Sequence, residues 1–399
     1  MDYYELMHKD DLVCMFSLED EVVLNIALPE SGMELLPLGC KDKRSISEWL
    51  KARAIPATRI GIDKILKNTF QALLDNYGLS LTDSYWIKPV AVDLTWKDVN
   101  FYTNDFQATK ILDDLSSIDC RGKTNFTPSA TLKGDLKKKW ILSDGERVLI
   151  KGNYGQTALQ AVSEVMATAI YEKQEIADYT SYTFADIQSD DQDILGCACP
   201  NFTSENLEFI PAIDIVNSVK KRKDQSYYQL YIELCQEHGL TDIEDFMSAM
   251  FSVDFILANV DRHLNNFGIL RDTTTLQWLR PAPVFDSGNS LFYRAAPHAR
   301  LPVGKELLKT EVSSFTKTIG SQLRLVKNSR LDLKKLPTDE EYLKILNKDD
   351  SLHAFDKEQR ILLLHETKQI FEEFLNGAKP WAYQSRQACE DAQRAETKL

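Results

Sequence analysis

The sequence lacks any apolar run approaching the roughly 20 residues that cross a bilayer as a helix. Its opening, MDYYELMHKDD, is acidic and has no apolar core of the kind a secretory signal carries. No membrane association is therefore expected, and the expected location is cytoplasmic, without a signal peptide. A basic excess is missing too. Lysine and arginine total 47 against 60 acidic residues, and the formal charge of −13 excludes a surface drawn as a whole to nucleic acid or anionic lipid. Direct nucleic-acid binding is not expected, although a local basic patch stays open. Cysteines are scattered and odd in number, seven in all, with Cys197 and Cys199 as the close pair. A lone C-x-C lacks the second half of a zinc site, so structural thiols in a reducing compartment are expected. Internal repeats are absent.

What is present fits a globular protein. Apolar residues make up 43% and charged residues 27%, and 399 residues allow two or three domains with at least one sizeable core. In residues 1–110, LVCMFSL and VVLNIAL read as two short strands around the turn EDE. Ser45-Ile46-Ser47-Glu48 has capping-box spacing and predicts a short helix stopping near Pro56. A longer helix is expected from about Ile60 to Tyr77, with Gly78 as its stop. No cluster of catalytic residue types occurs there, so a docking, substrate-binding or accessory domain is expected.

The texture changes after residue 110. KKWIL and RVLIK read as strands joined by a hairpin at Ser143-Asp144-Gly145-Glu146. LQAVSEVMATAIYE follows with Leu159, Val162, Val165, Met166, Ala169 and Ile170 at helical spacing. YTSYTFADIQ and ILGCACPNF read as two further strands. From about residue 204 the chain is mainly helical. One helix ends at Gly239, and Thr241-Asp242-Ile243-Glu244 predicts a capping box opening the next, which carries Ile243, Phe246, Met247, Met250, Phe251 and Phe255 on one face. FGILRD and LQWLRP flank TTT like a hairpin, and a helix is expected over about Asp356–Asn376, ended by Gly377 and Pro380. The polar tail SRQACEDAQRAETKL is expected to fray.

Between the helix and the hairpin sits NVDRHLNNF, which crowds Asp261, His263 and Asn266 into a loop. Phosphoryl transfer needs an acid to orient or accept the proton of the attacking hydroxyl, oxygen ligands for magnesium, and a cation on the nucleotide phosphates. Each has a candidate in sensible order. Lys151 ends the strand RVLIK, Glu164 lies on the helix after it, Asp261 and Asn266 are five apart, and Asp286 sits in VFDSG.

VLIK, the helix glutamate, D-x-H-x-x-N and FDSG together resemble the kinase plan of the HipA-like serine/threonine kinases, and NVDRHLNNFG with APVFDSGNSL resembles the short HipA-related bacterial kinases, some of them secreted. The DRHxxN loop is also similar to that of phosphoinositide-kinase-like enzymes. Ordinary protein kinases carry the histidine before the aspartate. The resemblance covers roughly residues 125–300. It implies an α+β, two-lobed protein-kinase-like fold, with residues 111–203 as a β-rich N-lobe, 204–399 as a mainly helical C-lobe, and 1–110 as an extra N-terminal α/β domain. It implies ATP and Mg2+ as cofactors, Asp261 as catalytic acid–base with His263 in support, and Asn266 and Asp286 as metal ligands. Lys151, paired with Glu164, would contact the alpha and beta phosphates. The family's phosphate-covering loop, Ser-x-x-Gly-Ala-Gln-x-Lys, is matched here at Gly134 and Lys138, with Thr131 in place of the serine that family members autophosphorylate and Asp135-Leu136 in place of Ala-Gln. The link around Pro200, Asn201 and Phe202 resembles the hinge that meets adenine through its backbone.

The implied function is an ATP- and magnesium-dependent protein kinase acting on a serine or threonine acceptor, with a toxin, a secreted effector and a DNA-binding or antitoxin partner protein all open. The alternatives are a small-molecule or lipid kinase, since the loop encodes transfer and not the acceptor, and a nucleotide-binding pseudokinase acting as a regulatory interaction module. Blander readings stand beside these. Asp261–Asn266 could be a polar helix-terminating loop, Gly288 a tight turn, and Lys220–Lys223 a solvated loop rather than an anion patch. Lys137, Lys138 and Lys139 alternate along a strand, so Lys138 is expected to face the nucleotide and its neighbours the surface.

Overall fold

The computed structural model describes residues 2–108, 117–119, 126–155, 157–189 and 192–380. The tail from Ser385 onward, expected to fray, lies outside the described residues. The chain is a mixture of sheets and helices that divides into two compact units: Met1–Tyr154, Thr180–Leu240 and Gly268–Ala282 form the first, and Gly155–Tyr179, Thr241–Phe267 and Pro283–Leu399 the second.

The first unit opens with β1 (Asp2–His8), β2 (Asp11–Glu19) and β3 (Val22–Ala27), followed by α1 (Lys43–Arg53), α2 (Ile62–Ile65), α3 (Thr69–Asp75), β4 (Tyr85–Pro89) and α4 (Trp96–Val99). The expected hairpin is β2–β3, turning at Asp20 and Glu21, both at positive φ. Neither β1 nor β4 was expected, yet β1 is a central strand in the order β3-β2-β1-β4. Its first half is exposed and polar, and only Leu6, Met7 and His8 at its end are buried, so its sequence shows little strand pattern. Two helix expectations are corrected. Asp42, not Ser45, caps α1, and Ser45 is the third-position partner of that box. The helix expected over Ile60–Tyr77 is broken, because the Asn68 carboxamide accepts from the Phe70 and Gln71 amides and starts a new helix there. Gly78 does end it, at φ 60°.

Next come β5 (Phe106–Ala108), β6 (Ser117–Asp119), β7 (Lys138–Ser143) and β8 (Glu146–Lys151). The second unit then contributes α5 (Leu159–Gln174), and the first resumes with β9 (Thr183–Ser189), β10 (Gln192–Pro200), β11 (Leu207–Pro211), α6 (Ala212–Ser218) and α7 (Tyr227–Glu237). The expected hairpin at Asp144-Gly145 is present, with both residues at positive φ, and it sets the register of β7 on β8 within the sheet β7-β8-β10-β9. Residues 1–110 lie wholly inside the first unit. Met7, Leu79, Trp86, Trp96 and Phe101 share one apolar cluster with Phe126, Leu132 and Trp140, so the N-terminal strands and β7 bury surface against the same core.

The remaining elements are α8 (Ile243–Ile256), the hairpin β12 (Gly268–Asp272) and β13 (Trp278–Pro281), and then α9 (Gly304–Lys309), α10 (Ile319–Gln322), α11 (Asp339–Leu346) and α12 (Ala354–Leu375). The hairpin belongs to the first unit and pairs with β11, and the helices belong to the second. Helix α8 is buried nearly all round, beyond the single face expected. Its expected capping box does not form, since the cap position falls on Asp242 rather than Thr241 and the Asp242 side chain makes no cap bond. Gly377, at φ 95°, follows α12 as expected. Among the described residues no helix is long and apolar enough to cross a membrane.

Candidate active site

In the second unit, α8 runs out at Leu257, and Ala258 turns the chain at φ 50°. Asn259 then ties the new direction back to the helix. Its amide donates to the Asp254 carbonyl and its Nδ2 to Asp254 Oδ1, both at 2.8 Å, while its Oδ1 accepts the Asp261 amide at 3.0 Å. One carboxamide thus fixes the backbone of Asp261. The Asp261 side chain is fixed separately: Oδ2 accepts from Asn289 Nδ2 at 2.7 Å, and Asn289 Oδ1 accepts from Gln160 of α5 at 2.8 Å.

Arg262 is the centre of this arrangement and is fully buried. Its Nε and Nη2 grip the two oxygens of Asp254 at 2.9 and 2.8 Å. Nη1 donates to the carbonyls of Asn266 and Phe285, and Nη2 also reaches Ser287 Oγ at 2.8 Å. Burial by itself lowers the pKa of this guanidinium, but Asp254, helped by Tyr171 and Asp286, outweighs it and the net shift is upward. The loop 261–266 and the segment 285–287 are therefore hung on one planar cation. No role was expected for Arg262 or Asp254. The readable signal was Asp254 itself, a carboxylate inside the apolar run FSVDFIL, because a buried acid needs a cation.

Asn266 is buried, and its Nδ2 donates to the Asp261 carbonyl at 3.1 Å, which leaves Oδ1 as the lone-pair end of the amide. Asp286 is half-buried and sits at φ 58°. The left-handed residue of this turn is thus Asp286 itself and not Gly288, which corrects the expectation for the glycine. Gly288 packs beside α5, where a Cβ would lie in ordinary contact, 3.4 Å from the Gln160 carbonyl oxygen and from Glu164 Oε1. Glu164 is buried, and its Oε2 accepts the Ser287 amide at 2.8 Å. A non-glycine residue held at positive φ beside such a network is the strained geometry found at functional sites. His263 is only half-buried, with the Asn265 amide pointing to its Nδ1 at 3.3 Å. Asp261, Asn266, Asp286 and Glu164 therefore all belong to one bonded neighbourhood, with His263 at its edge.

The first unit holds the other expected residues. Lys151 is 4% exposed, and its Nζ donates to the Tyr182 hydroxyl at 3.1 Å and lies 4.8 Å from the centre of that ring. Lys138 pairs directly across from Lys151, so both side chains leave the same face of the sheet. A Cβ on Gly134, which is at φ 89°, would meet Lys138 Nζ at 2.9 Å, so loop and lysine are adjacent. Lys139, expected at the surface, is fully buried, because alternation turns it to the other face. Thr131 is buried and donates its hydroxyl to the Leu79 carbonyl at 3.0 Å, so its modification requires local opening. Just after β10 the Asn201 amide donates to the Arg147 carbonyl at 2.8 Å, toward β8. Alternation sends the Pro200 carbonyl to the opposite edge, where the pairing with β9 has ended at Ala198. Lys220–Lys223 form a solvated loop in which Arg222 pairs with Glu233 of α7 at 3.1 Å, in line with the blander reading. The pairing expected between Lys151 and Glu164 spans the two units and stays an expectation.

Among the described residues, no group of three or more His, Cys, Asp and Glu is placed to hold a metal ion. Magnesium does not require one. A carboxylate and an amide oxygen, with phosphate and water completing the shell, form a hard oxygen donor set, and Asp286 with Asn266 Oδ1 fits it.

Comparison with known proteins finds similarity over part of the chain. The sequence is 29% identical over 104 residues to the serine/threonine-protein kinase CtkA of Helicobacter pylori, a match covering 25% of this chain and about a third of that protein's length (32%). A crystal structure of the Helicobacter pylori proinflammatory kinase CtkA aligns with a TM-score of 0.41 at 17% identity, covering 58% of this chain and 90% of that one. No protein-family model matches the sequence.

Proposed function

We propose that the chain is an ATP- and magnesium-dependent kinase that phosphorylates serine or threonine in a protein. The observation that carries this reading is the Arg262 guanidinium, which joins the Asp261–Asn266 loop to the Phe285–Ser287 segment and so holds a candidate base and both candidate metal ligands in one rigid frame. The sequence similarity to a serine/threonine kinase supports it.

In this reading Asp261, oriented by Asn289, receives the acceptor hydroxyl and takes its proton as the oxygen forms its bond to the transferred phosphorus and the bond to the departing ADP oxygen breaks. Asn266 and Asp286 would hold magnesium, which would supply charge neutralisation at the phosphates. Lys151 and Lys138, which leave the same face of the sheet, contact phosphate oxygens. The Pro200 carbonyl accepts from the adenine amino group. Residues 1–110 serve as an accessory region. Labelled ATP supplied to the chain with magnesium and candidate proteins should label a protein band. Asp286→Asn should reduce that transfer about a hundredfold or more. Undiminished transfer by that variant would sink the reading, and label confined to small molecules would redirect it to another acceptor.

A further inference from the structure

The loop containing Gly134 has ties from far away in sequence. It is held by Thr58, Arg59 and Ile60, from the part of the chain outside the kinase resemblance. Arg59 Nε donates to the Gly134 carbonyl at 3.1 Å and its Nη2 to the Leu132 carbonyl. Thr58 Oγ1 donates to Asp135 Oδ1 at 2.7 Å, and the Ile60 amide to the Asp135 carbonyl at 3.0 Å. The anchoring segment is itself fixed, since the Arg59 amide donates back to the Pro56 carbonyl and the Arg59 carbonyl accepts from Ile62. Next to it, Gly61 at φ 73° leaves room for Lys137, whose Cε would lie 3.4 Å from a Cβ there.

Arg59 is a costly way to make these contacts. It is 5% exposed, and burial, against a weaker pull from Asp135, lowers its pKa to about 10. Its Nη1 is buried without a partner among the described residues. The planar fork reaches two loop carbonyls, those of Leu132 and Gly134, a job lysine cannot copy.

We infer that Arg59 is a positioning residue that fixes the Leu132–Asp135 loop, and through it Lys138, in the geometry that receives nucleotide phosphate. The inference rests on the kinase reading, and it gives the N-terminal residues a role in nucleotide affinity. Arg59→Lys keeps the charge and loses the fork. Thr58→Val removes one tie at an exposed position and spares the fold. Amide hydrogen exchange of residues 132–138, without nucleotide, should accelerate in both variants, while exchange elsewhere stays unchanged. The KM for ATP of Arg59→Lys should rise roughly tenfold, the equivalent of one lost charge-assisted hydrogen bond, with kcat within about twofold of wild type. Unchanged loop exchange, or a fall in kcat at constant KM, overturns the inference. A wild-type chain that binds no ATP–magnesium overturns the nucleotide role outright. The two failures are told apart because the exchange measurement needs no nucleotide.

Discussion

Around Asp261 the polar side chains are locked to one another through a buried arginine only one residue away. Around Gly134 the chain is tied down by a residue 75 positions earlier. The first arrangement is dense: backbone and side chain of Asp261 each have their own tether, and Arg262 gathers a carboxylate, two carbonyls and a hydroxyl. The second is sparse and consists of a few bonds to backbone carbonyls and one aspartate. Groups that must hold a base and metal ligands to within about half an ångström need many restraints. A loop that covers and releases phosphate needs fewer, and low local stability is where such movement is found.

The largest effect that could break this comparison is loss of the arginine. Arg262→Ala leaves Asp254 buried without its partner, and the expected cost is about 3–5 kcal/mol, read from urea denaturation. The double variant Arg262→Met with Asp254→Leu should recover part of that stability and none of the activity, because the charge problem is gone but the carbonyls of Asn266 and Phe285 are no longer gathered. A cost under about 1 kcal/mol for Arg262→Ala would mean the loop is fixed by something else.

A smaller effect separates the two regions by kinetics. Asp261→Asn should reduce kcat about a hundredfold or more at nearly unchanged ATP affinity, since the base acts in the transition state. Lys138→Met should weaken ATP binding roughly tenfold, the value of a charge-assisted hydrogen bond, and leave most of kcat in place. Direct nucleotide titration beside steady-state kinetics checks both. If Lys138→Met lost kcat alone, the division of labour between the regions would be wrong.

The same contrast explains what the sequence could tell. NVDRHLNNF and VFDSG stood out as candidates because their polar residues are local, with an acid and an amide five residues apart and an aspartate in a turn. Asp144-Gly145 was legible for the same reason, since two residues suffice to specify that hairpin. Arg262 stood inside the quoted motif and was still missed, because its role depends on Asp254, eight residues back and on a helix. Arg59 was missed for a stronger reason. Nothing near it in sequence marks it, and its partners are carbonyl oxygens, which every residue has. The break at Asn68 was missed because helical spacing of apolar residues continues through it, and only the cap reveals it. Strand β1 was missed because a centrally paired backbone does not require a patterned side-chain sequence.

The smallest expected effect comes from comparing two glycines of the first unit. Gly145 and Gly134 sit at φ 82° and 89°, so an alanine at either meets the same backbone penalty of about 1–2 kcal/mol. Their surroundings differ. A Cβ at Gly145 would have no atom within 4 Å, whereas one at Gly134 would crowd Lys138 Nζ at 2.9 Å. Gly145→Ala should therefore lower stability by about 1 kcal/mol and leave ATP affinity within twofold, because the Lys138–Lys151 register is also held by every other pair along the hairpin. Gly134→Ala should cost a similar amount of stability and, in addition, displace the lysine and weaken ATP binding. Wild-type affinity in both variants would separate the loop from the nucleotide. A drop in both would show that the hairpin turn, and not the Arg59 clamp, is what places Lys138.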